Sequence, residues 1–299
     1  MPELVFPLIS RRRVLGVAFG GMRSLRRGTG SDVAGSRPYR PGDPIDHIDW
    51  AASARLSLAR GSDEFVVREH YADESPRVIV VVDRAPTMGI APPPRGRLHK
   101  PQALIAALSL IASSAGASRS LLGYFDWDGS APVWRAPRSE HQAAPPASRE
   151  FHAAEDNVER ALATLGRNSR DVPRGSFVFV LSDFLSGPSR TAWRSALEHE
   201  WDLVPVVIQD PLWERSFPDV SGIVVRFSEP GSGAARHVRL SQSEAAQQRL
   251  ESERRWARLV ADFRALGVDP VVVSSDDPAA IASDFLGWAD ERMYARGGR

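Results

Sequence analysis

Short runs of apolar residues alternate with longer helical patterns from residue 77 to the end of the chain. Runs that are apolar at nearly every position predict strands that are covered on both faces, as in a parallel sheet. The pattern predicts four such strands, at residues 78–83, 176–182, 203–209 and 268–274.

Helical patterns fill the segments between these strands. They cover residues 102–115, 157–165, 191–199 and 242–266. Residues 120–126 and 132–136 instead predict an antiparallel hairpin around Asp128-Gly129. Alternating strands and helices predict an α/β fold with a doubly wound, mostly parallel sheet, and we place the hairpin at one edge of it.

Several residues mark helix ends. Ser241 and Glu244 have the spacing of a capping box, and Gly267 ends the same helix. Asp277 and Pro278 suit the N-cap and first position of a last helix. The predicted core face of that helix consists of Ile281, Phe285, Trp288 and Met293.

The chain before residue 77 has a different character. Residues 1–29 are basic and glycine-dotted and predict a solvated amino-terminal arm. Residues 30–76 are rich in Arg, Asp, Pro and Gly, with aromatic anchors, and predict a small irregular or β-rich lead-in subdomain. The α/β domain is assigned to residues 77–295.

Composition narrows the function classes. The 299 residues are 42% hydrophobic and carry a net charge of +1, so no global charge calls for nucleic acid or an anionic membrane. The absence of cysteine excludes thiol chemistry and favours the cytoplasm. No apolar run approaches the ~18–20 residues of a membrane span. Arg11–Arg13 resemble a twin-arginine export signal, but Arg23 interrupts the short apolar segment that follows, which favours the arm.

Polar side chains follow two of the predicted strands. Asp83 ends the first strand, Thr87 follows four positions later, and Asp183 ends the second apolar strand. Ligands of parallel sheets bind at the carboxyl ends of the strands, and carboxylate and hydroxyl oxygens suit Mg²⁺. Taken singly, each residue is more simply a turn or capping residue.

Several kinds of catalytic site are excluded by missing residues. Lys100 stands between His99 and Pro101, so the chain has no Walker loop, and no bound nucleotide is expected. An aspartyl-phosphate phosphatase needs a second acid at position 85, which is Ala85. The histidines lack the His-x-x-x-His spacing of a zinc site.

A second dense motif lies in the lead-in subdomain. Pro41-Gly42 predicts a tight turn, and Asp43, Asp49, Arg40 and Arg55 can form a charged network around Trp50. We interpret this motif as a structural clasp in preference to a ligand site, because structural ion-pair networks are common.

These two motifs together resemble family 58 of the bacterial domains of unknown function, over roughly residues 28–295. The pattern comprises Tyr39-x-x-Gly42-Asp43, Ile48-Asp49-Trp50, Ala54-Arg55 and Glu74. The resemblance implies a domain similar to von Willebrand factor A, and a protein partner of the MoxR-type AAA+ ATPase class. Many members carry amino-terminal membrane helices.

The resemblance also implies a metal-ion-dependent adhesion site, which is degenerate here. Asp83 and Thr87 match its first and last ligands, whereas Ala85 replaces the middle serine. Asp156 stands at the loop threonine, and Asp183 matches the last aspartate. The resemblance therefore implies a Mg²⁺ site that has lost one hydroxyl ligand.

Two functions follow as hypotheses. The first is a non-catalytic interaction module that binds a protein partner, expected to be a MoxR-type ATPase, at the carboxyl edge of the sheet. The alternative is a magnesium-dependent phosphoesterase or nuclease that uses the acidic cluster to activate water. It lacks a paired acid at position 85 and a convincing general base.

Overall fold

The computed structural model describes residues 4–11, 17–90, 96, 98–137, 150–168, 170–219, 224–228 and 235–297. The strands of this part are β1 (Val17–Pro38), β2 (Val66–Ser75), β3 (Arg77–Val82), β4 (Leu121–Asp128), β5 (Ala131–Arg135), β6 (Phe177–Ser182), β7 (Asp202–Ile208), β8 (Val224–Ser228), β9 (Ala235–Arg239) and β10 (Val271–Val273). Its α-helices are α1 (Trp50–Arg60), α2 (Lys100–Ala117), α3 (Asn157–Arg167), α4 (Arg190–Glu198), α5 (Gln242–Leu266) and α6 (Pro278–Gly297). The sequence predicts loops for the Pro/Gly/Arg-rich segment 91–97 and the Pro/Ala/Ser-rich segment 137–150, and both lie mostly outside the described residues.

A six-stranded sheet with the order β10-β7-β6-β3-β4-β5 forms the centre of the molecule. All neighbouring strands are parallel except β4 and β5, which form the antiparallel hairpin at one edge. Gly129 takes a φ of +56° in the hairpin turn, a conformation that favours glycine. The prediction of an α/β fold with a mostly parallel sheet is confirmed.

Helices cover both faces of this sheet, which explains its uninterrupted apolar strands. In β3, Val78, Val80 and Val82 pack with α2 and α6 on one face. Ile79 and Val81 pack with α3, α4 and α5 on the other face. Each of these five side chains is fully buried, so none of the five positions tolerates a polar residue at low cost.

The amino-terminal segment 4–11 packs against the sheet domain, which corrects the prediction of a solvated arm for residues 1–29. Phe6 is buried among aromatic rings of α6, with its centroid 4.7 Å from that of Phe285. The backbone N–H of Phe6 donates to Ser114 Oγ at 3.0 Å, and that of Arg11 donates to Asp202 Oδ2 at 2.8 Å. Alternate buried side chains, Phe6, Leu8 and Ser10, hold the segment in place because they face the core.

A two-stranded antiparallel ribbon, β1 with β2, forms the lead-in subdomain together with α1. β1 runs continuously across residues 29 and 30, so no break separates the predicted arm from the lead-in. Helix α1 was not predicted. Asp49 starts it by accepting a hydrogen bond from Ala52 N at 3.0 Å, and Gly61 ends it with a φ of +67°.

Helix boundaries agree with the sequence where caps are strong. The capping box of Ser241 and Glu244 is present, and Gly267 ends α5 in the left-handed conformation. Asp277 Oδ2 accepts from Ala280 N at 3.2 Å at the start of α6. Met293 is 50% exposed, contrary to the predicted core face, because the neighbouring Arg292 takes the buried position.

Among the described residues, no helix is both long enough and apolar enough to cross a membrane.

Candidate functional site

Two aspartates meet at the carboxyl edge of the sheet because their strands are neighbours. In the parallel β3–β6 pair, Val82 lies opposite Leu181. Asp83 and Asp183 therefore lie near each other, just after the carboxyl ends of two adjacent strands. The backbone N–H of Asp83 continues the ladder to Leu181 O at 3.0 Å. The predicted convergence of these acids is therefore present, but both side chains are buried and are not open to solvent.

The carboxylate of Asp83 is surrounded by hydrogen-bond donors of the protein. Oδ1 accepts from Asn157 Nδ2 and from Ala85 N, each at 2.8 Å, and Oδ2 accepts from Ser182 Oγ at 2.5 Å. Burial, followed by the charge of Asp183, nevertheless raises the pKa of Asp83 above its ordinary value. Asp83 thus acts as a buried junction between β3, β6 and the start of α3.

Asp183 is paired with Lys100, which lies at the start of α2. The Lys100 ammonium is 2.8 Å from Asp183 Oδ2 and 2.5 Å from Glu214 Oε1. Burial alone would lower the pKa of Lys100, but the two carboxylates outweigh it and raise that pKa. Burial raises the pKa of Glu214, and Lys100 opposes that shift. The three side chains form a compact ion group in which Lys100 and Asp183 are buried and Glu214 is half-buried, and we call it the Lys100 triad.

Thr87 and Asp156, the other two predicted ligands, lie in different surroundings. Thr87 lies in a short 3-10 helix, Pro86–Gly89, just after Asp83, and is buried. Asp156 does not reach this group: its side chain is 62% exposed and points to Arg160, 4.0 Å away. The residue of this loop that contacts Asp83 is the next one, Asn157, because the first turn of α3 directs its amide inward.

A second buried ion pair lies beside Asp83. Arg84 donates to both carboxylate oxygens of Asp126, at 2.8 and 2.9 Å, and lies over the ring of Phe151 at 5.1 Å. Such a fork-to-fork contact fixes both side chains. In the sequence, Asp126 is the last residue of the first predicted hairpin strand, which indicates a hairpin-end role, and nothing in its own neighbourhood points to Arg84.

The donor set does not favour a divalent cation. Within the described ranges, no group of three or more His, Asp or Glu side chains is arranged to hold a metal ion. The acids at the edge already accept hydrogen bonds from Asn157, Ser182 and Lys100. The sequence did not identify Lys100 or Asn157 as site residues. Lys100 could have been noticed, because it is the single lysine of the chain and all other residues of the Lys+Arg count are arginines.

The first half of the family signature forms a tight turn. Asp43 accepts two hydrogen bonds from Arg37, each at 2.6 Å, and one from Arg40 N at 2.7 Å. These contacts lower the pKa of Asp43 to about 2, with the Arg37 hydrogen bonds as the largest cause. Gly42 takes a φ of +103° within this turn, where other residues would be strained.

The second half of the signature caps α1 and displays aromatic rings. Asp49 accepts from Arg68 Nε at 2.8 Å, and this contact is the largest cause of the lowered pKa of Asp49. Trp50 is 60% exposed and packs edge-on against Phe65, which is 45% exposed and also contacts Tyr39. We call Tyr39, Trp50 and Phe65 the aromatic face.

The predicted charged network around Trp50 is therefore only partly present. Its acids are Asp43 and Asp49, but their side-chain partners are Arg37 and Arg68. Arg55 is exposed and donates to Ala51 O within its own helix. Glu74 lies near the end of β2. The side-chain partners of both acids thus lie on the ribbon strands β1 and β2, and Arg40 contributes its backbone N–H to Asp43.

Comparisons with known proteins agree with the signature. The family model described as "Protein of unknown function DUF58" matches residues 35–258. Uncharacterised proteins of Mycobacterium bovis and Mycobacterium tuberculosis are 24% identical over 231 residues, covering 75% of this chain and 69% of each relative.

Solved structures show only weak similarity. BatB from Bacteroides thetaiotaomicron has a TM-score of 0.37 at 16% identity, covering 72% of this chain and 99% of its own. The pilus adhesin SpaC from Lactobacillus rhamnosus GG has a TM-score of 0.36 at 10% identity, covering 73% and 30%. At these TM-scores the fold description rests on the strands and helices themselves. The family match spans most of the chain, and the protein therefore belongs to the DUF58 family.

Proposed function

We propose that this protein is a non-catalytic protein-interaction module. The observation that carries the proposal is the aromatic face, in which Trp50 is exposed. The Asp43–Arg37 and Asp49–Arg68 pairs stabilise the turn and the helix start next to these rings. Exposed aromatic side chains on an ordered frame are typical of protein interfaces, because they contribute large contact areas at low entropic cost. Ile45 and Leu58 add exposed apolar surface to the same subdomain.

We further propose that the central sheet is of the von Willebrand A type. The strand order supports this, since β3 is central, its successors pair on opposite sides, and the antiparallel edge strand β5 is outermost. In such domains the partner binds at the carboxyl edge. Here Asp83 and Asp183 are buried, so a partner at this edge would contact the residues around these acids. The aromatic face is a second surface, and it is directly accessible to a partner.

The proposed partner is a MoxR-type AAA+ ATPase that assembles or remodels a protein complex. This part of the proposal rests on membership of the DUF58 family and on the resemblance of the signature residues. A non-catalytic role for this chain is consistent with the internal pairing of its buried acids.

The partner proposal is tested by measuring binding of the purified ATPase from the same organism to immobilised protein. Trp50→Ala should weaken binding at least tenfold, which corresponds to about 1.4 kcal/mol or more for an interface anchor. Tyr294→Ala is the matched control, because Tyr294 is also an exposed aromatic residue but lies on α6. No detectable ATPase binding to the wild-type protein, or equal binding by wild type and Trp50→Ala, would refute the proposal.

The phosphoesterase alternative gains no support from the geometry. It needs carboxylates that are free to bind a metal and a water, whereas Asp183 is paired with Lys100 and Asp83 accepts three hydrogen bonds. Hydrolysis of a chromogenic phosphodiester in the presence of Mg²⁺ or Mn²⁺ tests it. We expect no turnover above buffer; activity that is lost in Asp183→Ala would revive the alternative.

A further inference from the structure

The one lysine of the chain is buried at the carboxyl edge of the sheet. All other residues of the Lys+Arg count of 38 are arginines. The Lys100 side chain is 7% exposed, and its ammonium contacts Asp183 and Glu214, which come from different segments. Glu214 is itself held in place because its Oε2 accepts from Asp210 N at 2.8 Å.

A lysine suits this position better than an arginine would. The ammonium is a compact point charge with three donors, whereas the guanidinium is a planar fork that needs more space. Asp183 and Glu214 approach the same nitrogen within 2.8 and 2.5 Å, so two carboxylates share one small cation. The arrangement resembles the way in which carboxylates surround a bound ion.

The donor set at this edge does not fit Mg²⁺. That ion needs near-octahedral oxygen coordination at about 2.0–2.1 Å. Ala85 provides a methyl group where a hydroxyl ligand would be required. Asp183 Oδ1 accepts from Leu185 N at 3.0 Å, and its Oδ2 accepts from Lys100. A metal ion would have to displace the ammonium and repel it at short range.

We propose that the Lys100 ammonium is the resident cation of this edge and takes the place that a divalent metal ion holds in a metal-ion-dependent adhesion site. It joins the start of α2 to the end of β6 and to the segment around Glu214. The edge is therefore assembled in the absence of divalent ions. This inference is independent of the proposed partner, because it concerns an internal contact of the folded chain.

The first test is a titration of wild-type protein with Mn²⁺, in which electron paramagnetic resonance reports the free ion. We expect no Mn²⁺ site with a Kd below about 1 mM, the weak end of protein sites for hard cations. The unfolding temperature should also be the same in EDTA and in excess Mg²⁺. A tighter Mn²⁺ site that disappears in Asp183→Asn would overturn the proposal.

The second test replaces the ammonium with an apolar side chain of similar length. Lys100→Met should lower the unfolding temperature by about 5–10 °C, since it leaves buried carboxylates without their cation. Arg60→Met is the matched control: it removes a basic residue from an exposed pair with Glu64 and should shift the temperature by less than about 2 °C. An unchanged Lys100→Met protein contradicts the proposal. If this variant does not fold, the wild-type titration decides.

Discussion

Neighbouring donors and burial shift the pKa values of Asp43 and Asp83 in opposite directions. Asp43 lies near the surface, and its contacts with Arg37 and Arg40 N lower its pKa to about 2. Asp83 accepts as many hydrogen bonds, but its burial and the nearby charge of Asp183 raise its pKa. The same residue type is thus an anion at neutral pH in the signature turn and a buried junction at the sheet edge.

The Asp43–Arg37 contact gives a prediction about acid titration. Carbon-detected NMR of the wild-type protein should give Asp43 a pKa of about 2, and Arg37→Met should move it back towards 3.8. Because the folded-state pKa is lowered, the stabilisation is present above pH 3.8 and is lost as the pH falls towards 2. Arg55→Met is the control and should leave the Asp43 titration unchanged. An Asp43 pKa near 3.8 in the wild-type protein contradicts the contact.

Sequence reasoning at the residue scale succeeded where position along a strand decides contacts. Asp83 and Asp183 were expected to meet, because both directly follow apolar strands. Asn157 and Lys100 were missed, because their contacts depend on how two helices approach the edge from different sides. The choice between Asp156 and Asn157 depends on the direction of one helical turn, which residue spacing alone does not specify.

Buried ion pairs connect elements that are distant in sequence. Arg292 of α6 lies 3.0 Å from Asp202 at the start of β7, and both side chains are almost completely buried. Arg292 also donates to Ile9 O at 3.1 Å. A pair of this kind costs desolvation on both sides, so loss of one partner is more damaging than loss of a surface pair.

Asp202→Asn should therefore destabilise the protein by about 3 kcal/mol in urea unfolding, because the buried Arg292 loses its nearest counter-charge and keeps only the half-exposed Asp269 at 3.6 Å. The matched control is Asp262→Asn, since Asp262 pairs with Arg190 at the surface. That change should cost less than about 1 kcal/mol. Equal costs for the two variants would show that the Asp202–Arg292 pair is not buried as described.

At the element scale, the sequence predicted those helices and strands that have strong local patterns, such as caps or apolar stripes. The capping box and Gly267 gave both ends of α5. Helix α1 was missed because it buries only Ser53 and so has no apolar stripe to detect. Strand β10 is shorter than expected and begins after Pro270, a residue that cannot donate a backbone hydrogen bond to a sheet.

At the scale of the whole molecule, the amino-terminal segment packs against the sheet domain. Residues 4–11 run across α2, α6 and the start of β7, and so connect the beginning of the chain to its last helix. Sequence reasoning missed this docking, because alternation over so few residues is too short to distinguish from chance. The fold class, in contrast, followed from strands and helices that repeat along most of the chain.

Phe6→Ala tests the packing of the amino-terminal segment. The ring contacts Phe179, Phe285 and Trp288, so its removal should cost about 3–5 kcal/mol of unfolding free energy, as for other buried aromatic residues. Val5→Ala is the adjacent control: Val5 is 43% exposed, and its truncation should cost less than about 0.5 kcal/mol. A small effect of Phe6→Ala would mean that the segment is not part of the folded core.

The burial of Lys100 also determines which covalent labels and cross-linkers can react with this protein. Amine-directed cross-linkers and labels need an accessible, unprotonated amine, and the chain's only ε-amine is enclosed and held as an ammonium. Such reagents should leave Lys100 unmodified in the native state and modify it after unfolding. Cross-linking surveys based on lysine would therefore overlook the contacts of this protein, whereas carboxylate-directed reagents would detect them.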